Sequence, residues 1–88
     1  MSMVGMVVAE VDALASLLGQ KADQLDSVIS EVKAKLDGTN WKGQDADTFR
    51  SDWDGTLTTQ LRNVANQLRD AQTKATSNAR AQETTSNS

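Results

Sequence analysis

Four carboxylates crowd one short stretch, Asp45, Asp47, Asp52 and Asp54 in "QDADTFRSDWD", and they are the residues whose types come closest to a reactive or metal-binding set. Hard cations take oxygen ligands, so a calcium loop is the first chemistry to test. The spacing fails it: "DGTNWKGQDADT" lacks both the alternating ligand register and the closing Glu. On a helix, Asp52 and Asp54 point to different faces, and a solvated acidic face is the better account. The chain has no His and no Cys. Zinc sites, histidine-based triads and thiol nucleophiles are therefore out of reach, and the Ser and Thr residues have no His-type base beside them. No glycine-rich phosphate loop is present. The composition predicts a protein that binds and does not catalyse, with no metal and no cofactor.

Recognition is the chemistry that remains, and its strongest candidate is Trp41 in "TNWKGQDADTF". A break between helices usually sheds bulk, yet this one holds one of only two tryptophans in the chain. The ring can lie across the gap between two helix ends as a lock, with its indole N–H on a carbonyl or water. It can equally be part-exposed for a partner, and the two roles are compatible. Gly43 would let the backbone pass close beneath the ring and restart a helix without a side-chain clash. Phe49 and Trp53 fall on an apolar helical row. Core packing is their default role, although aromatics near the end of a bundle also suit a docking surface.

Two long helices must position this corner. Val4, Val11, Leu18, Leu25 and Val32 stand seven apart, and Val8, Ala15, Ala22, Ile29 and Leu36 form a second row four residues ahead. Leu14 and Val28 widen the stripe on one side. This pattern predicts an amphipathic helix over about 7–37. Asp37-Gly38-Thr39-Asn40 then reads as a stop, with Gly38 available for a left-handed terminal conformation. A second helix is predicted over about 44–80, with Asp45 and Asp47 in a first turn that favours carboxylates. Its apolar row runs Ala46, Phe49, Trp53, Leu57, Leu61, Val64, Leu68, Ala71 and Ala75. Gly55 interrupts that helix, and a solvent-facing place or a close helix approach would explain it. "ETTSNS" is polar and unpatterned, so a single domain over 1–82 with a disordered tail over 83–88 is expected.

Each helix would be roughly 45 Å long, and the short break between them predicts an all-α antiparallel hairpin with its corner at 38–43. The stripe on the first helix is wider than one facing helix can cover. Two hairpins packed as a four-helix bundle would bury both stripes. The residues expected at that dimer or bundle interface are Val11, Leu18, Leu25, Ile29, Val32, Leu36, Phe49, Trp53, Leu57, Leu61, Val64 and Leu68.

The net charge of −3 and pI near 4.7 argue against nucleic acid or anionic lipid as a bulk partner. From Gln60 to Gln82 the balance reverses locally, with Arg62, Arg69, Lys74 and Arg80 against Asp70, although a basic C-terminal helix half also suits the macrodipole. "MSMVGMVVAEV" lacks the basic start of a signal peptide, and no run approaches the length of a membrane span. A membrane-active helix pair fits poorly with the acidic polar face of the first helix.

Trp-X-Gly at mid-chain, between two amphipathic helices and followed by "ADTFRSDW", resembles the WXG family of small secreted hairpins, the ESAT-like substrates of type VII (ESX) secretion in Gram-positive bacteria and mycobacteria. The resemblance covers residues 4 to 80 and rests on Trp41, Gly43, Ala46, Phe49 and Trp53. It implies a hairpin that dimerises with itself or with a related WXG-type chain. It also implies export without a classical leader, through a membrane-bound FtsK-like ATPase that reads the corner at Trp41 and Gly43 together with a tail motif on the opposing chain. That tail motif, Tyr-X-X-X-Asp or Tyr-X-X-X-Glu, is missing: the chain has no Tyr, and the nearest match, "ARAQE", has Ala79 in its place. The export tag is then expected on a partner chain, although homodimers without it also fit the family. The competing expectation is a cytoplasmic coiled-coil or bundle adaptor whose Trp corner is only a lock.

Overall fold

A computed structural model describes residues 6–87, with side chains to 84. Val4 of the first apolar row and Ser88 of the tail lie outside the described residues. The first helix, α1, spans Val8–Asp37, within a residue of the stretch that the heptad rows predict. After the corner come α2 (Gln44–Asp52), a π-helical turn (Trp53–Leu57) and α3 (Thr58–Asn87). Among the described residues there is no strand. The fold is an all-helical hairpin measuring 65 × 18 × 14 Å. The second arm, nine, five and 30 residues in continuous helix, accounts for that length at about 1.5 Å per residue.

Small residues form the seam between the arms. Ala15, Ala22 and Ile29 of α1 are buried, and so are Ala46, Trp53, Thr58, Ala65, Ala79 and Gln82 of the second arm. Alanine at these positions lets the two backbones approach closely. Gly19 takes this further: a Cβ there would stand 2.5 Å from Gln72 Nε2, so the glycine makes room for an amide inside the seam. The larger apolar side chains are pushed to the edge. Val11, Leu18, Leu25 and Val32 are half-buried, whereas Val7, Leu14, Leu17, Val28 and Val64 are 41% to 57% exposed.

The two edges of the seam differ in chemistry. On one, Arg80 Nη2 donates to Asp12 at 2.6 Å, Arg69 Nη2 donates to Asp23 at 2.8 Å and to Asp26 at 2.6 Å, and Lys33 Nζ lies 3.8 Å from Asp54. Partners descend α1 as they ascend α3, which is the antiparallel register. The hydrogen bonds to Asp23 and Asp26 push the Arg69 guanidinium above its ordinary range, and the one to Asp12 does the same for Arg80. By helical spacing the opposite edge carries Val11, Leu14, Leu18, Leu25, Val28 and Val32 from α1 with Leu57, Leu61, Val64 and Leu68 from the second arm. One face of the hairpin is therefore zipped by charge and the other is apolar.

Three expectations need correction. The apolar row of the second arm does not run straight from Trp53 through Leu57 to Val64, because the π turn inserts one residue. The Thr58 N–H donates to Trp53 O, five residues back, so the position facing α1 after Trp53 is Thr58 and the next is Ala65. Leu57 and Leu61 become edge residues, and Val64 is 45% exposed. Gly38 does not adopt a left-handed conformation: its φ is −93°, and the carbonyls that such a turn would cap find other donors. Finally, the second arm does not end at 80. Helix continues through Asn87, with Arg80 Nε 2.9 Å from Glu83 and Thr84 Oγ1 donating to Arg80 O at 3.0 Å within its last turns.

Candidate recognition corner

The corner begins where α1 leaves its last carbonyls without helical partners. The Gly38 N–H reaches Ala34 O at 3.1 Å, the Thr39 N–H reaches Leu36 O at 3.2 Å, and Thr39 Oγ1 donates to Lys35 O. The chain then folds back on itself through a Trp41 N–H bond to Thr39 O at 3.0 Å. Gly43 has φ 116° and ψ 179°, the one positive φ among the described residues. A Cβ there would meet nothing within 4 Å. The need for glycine is therefore conformational, and the expected side-chain clash at this position is corrected. From Gly43 O, accepting from the Asp47 N–H at 3.0 Å, α2 begins.

Arg50 closes the corner. Its Nη1 donates to Trp41 O at 2.6 Å, and its Nη2 donates to Thr39 O at 3.0 Å and to Leu36 O at 3.2 Å. The same guanidinium carbon lies 5.9 Å from the centroid of the Trp41 ring, within cation–π range. One side chain of α2 thus satisfies the end of α1, the corner backbone and one face of the indole. Phe49 meets the ring from another side, at 6.2 Å between centroids and a 46° tilt. Phe49 also stacks on Trp53 at 6.3 Å and 29°. The three aromatics form a ladder from solvent to core: Trp41 is 41% exposed, Phe49 half-buried and Trp53 6% exposed.

The structure brings together Trp41, Gly43, Phe49 and Trp53 of the expected set, with Leu36 contributing its carbonyl. Val11, Leu18, Leu25, Val32, Leu57, Leu61, Val64 and Leu68 lie on the apolar edge away from the corner, and Ile29 is buried in the seam. Sequence reasoning missed Arg50. The signal was present: a helix end leaves orphan carbonyls, and Arg50 is seven residues past Gly43, on the α2 face that starts at the corner. It also missed Thr58, Ala65, Ala79 and Gln82, which are small or polar and hence absent from an apolar row. Asp45, Asp47, Asp52 and Asp54 are all exposed, and among the described residues no three acidic side chains converge on a point. Among those residues, no helix is long and apolar enough to cross a membrane. Comparison with known proteins returns no match: no family model, no curated protein and no solved structure aligns significantly with this chain.

Proposed function

We propose that this chain is a WXG-type helical hairpin exported by a type VII (ESX) secretion system, and that it works by binding other proteins. The observation that carries the reading is the corner itself: an indole left 41% exposed, its other surfaces held by Arg50 and Phe49, at the end of a long hairpin. The part-open face of the indole is what favours recognition over gap filling, since a ring that only filled a gap would be expected to bury more of itself. Trp41 and Gly43 are the recognition feature in this reading, and the reader is a membrane-bound FtsK-like ATPase. The site of action lies outside the cell.

The apolar edge supports the second half of the reading. An unpartnered strip of Val and Leu along the hairpin favours association, and two such faces packed together make a four-helix bundle. The partner is a second copy or a related WXG-type chain. Ala79 bears on which, because it stands where the family tail motif would hold Tyr and it is wholly buried in the seam. A tag there would be hidden, which favours a tag supplied by a related partner chain.

Export tests the reading. Deleting the secretion ATPase of the host is expected to remove the chain from culture medium while its level in the cell pellet holds, and undiminished export in that strain would overturn the proposal. The competing reading, a cytoplasmic bundle adaptor, draws on the same clamp: Arg50 and Phe49 also suit a plain structural lock. Replacing Trp41 by Ala separates the two. A large loss of melting temperature with normal export favours the lock, and the reverse favours recognition.

A further inference from the structure

Arg50 joins three parts of the chain that are far apart in sequence. Its backbone belongs to α2, its Nη2 reaches Leu36 O in the last turn of α1, and its Nη1 holds the Trp41 carbonyl in the corner. The bonds to Leu36 and Trp41 span 14 and nine residues. The aromatic and cation–π contacts of the Trp41 ring come from α2, through Phe49 and Arg50. The guanidinium that covers the ring is itself bonded to Leu36 O, so it links the end of α1 to the indole. If the last turn of α1 frays, Leu36 O and Thr39 O move away, and the guanidinium keeps only the Trp41 carbonyl of its three acceptors.

We propose that Arg50 is a positioning residue that makes the display of Trp41 conditional on a docked hairpin. A partner that reads the indole thereby also reads whether α1 and α2 are in place. The proposal builds on the recognition role given to Trp41 above. Arginine is required because its planar fork presents donors on separate nitrogens, one set to the corner and one to the helix end, while the same plane covers the ring. A lysine ammonium is a single point and cannot hold both ends and the ring face together.

The test uses the full chain with 5-fluorotryptophan at both indole positions, fluorine NMR to watch each ring, and Trp41→Phe to assign the two signals. Wild type, Arg50→Ala and Arg50→Lys are titrated with urea, with circular dichroism on the same samples. In the wild type, the Trp41 signal is expected to move together with helix loss and with the Trp53 signal. In both variants it is expected to lie near its unfolded position before any urea is added, with Trp53 and helicity retained. Broadening of the Trp41 signal by a soluble gadolinium chelate is expected to rise in parallel. Should Arg50→Ala lose its helices, Arg50→Lys keeps the stem and the charge and carries the same comparison. A Trp41 signal unchanged in Arg50→Lys, moving only with global unfolding, overturns the proposal. Export of the variants is expected to fall roughly tenfold, the scale of one lost hot-spot contact. A displaced Trp41 signal with undiminished export would leave Arg50 in its positioning role and overturn the recognition reading instead.

Discussion

At the scale of single residues, Gly43 and Gly55 make opposite demands. Gly43 sits at φ 116° with open space where a Cβ would go, so Gly43→Ala meets strain without any clash. A residue forced into such a region costs about 1–3 kcal/mol, and urea unfolding should show a loss of that order. Gly55 has open space as well and lacks the positive φ. Gly55→Ala is therefore expected to stabilise by about 0.4–1 kcal/mol, chiefly by restricting the unfolded chain, and the same titration reads it. From sequence, Gly43 stood out through its place after Trp-Lys, although the reason lay in a backbone angle that residue types do not reveal. Arg50 was hidden for a different cause. Its partners are backbone carbonyls, so its signal lay in the open end of α1 and not in the apolar spacing of side chains.

At the scale of elements, the hairpin arms were legible because a period of 3.6 residues is written into the Val and Leu rows, and their boundaries followed from Asp37-Gly38 and Gly43. The π turn was not legible. Trp53, Leu57, Leu61, Val64 and Leu68 keep intervals of three and four, so the apolar row reads as unbroken while the inward face shifts by one residue to Thr58 and Ala65. This predicts an asymmetry between deletions. Removing Gly55 leaves Thr58 four residues after Trp53, which an ordinary α-helix places on the same face. That variant should keep its helicity and a cooperative melt. Removing Asn66 from the middle of α3 instead rotates Ala79 and Gln82 about 100° out of the seam, and loss of cooperative melting is expected. Equal melting curves for the two deletions would mean that the π turn does not set the frame.

For the whole molecule, the sequence foretold a hairpin but did not separate its seam from its outer apolar face. Ala15, Ala22 and Ile29 belonged to one apolar row in the sequence, and in the structure they are buried while the leucines border the outer apolar face, because small residues allow two helices to close so far. Ala22, fully buried, is the sharpest probe of this. Ala22→Leu should destabilise the hairpin by about 1–3 kcal/mol through overpacking, measured by thermal or urea unfolding. Leu14→Ala, on an exposed site, should leave the isolated hairpin nearly unchanged. If the apolar face is where chains meet, the same change weakens association, and light scattering across a dilution series reads it as a shift from about twice the 9.5 kDa chain mass toward the single chain.

The shape of the hairpin also governs how it moves through water. At 65 Å long against 18 and 14 Å across, it is a rod of axial ratio near four. Such a body tumbles slowly end over end and quickly about its long axis, so nuclear relaxation rates should differ between amides whose N–H vectors lie along the axis and those that lie across it. In α1 and α3 nearly every N–H is aligned with the axis, while the corner amides of Thr39 to Gly43 depart from it. Drag on a rod follows length more than mass, so pairing side by side would double the mass with little change in length. The sedimentation coefficient would rise steeply while the elution volume moved only slightly.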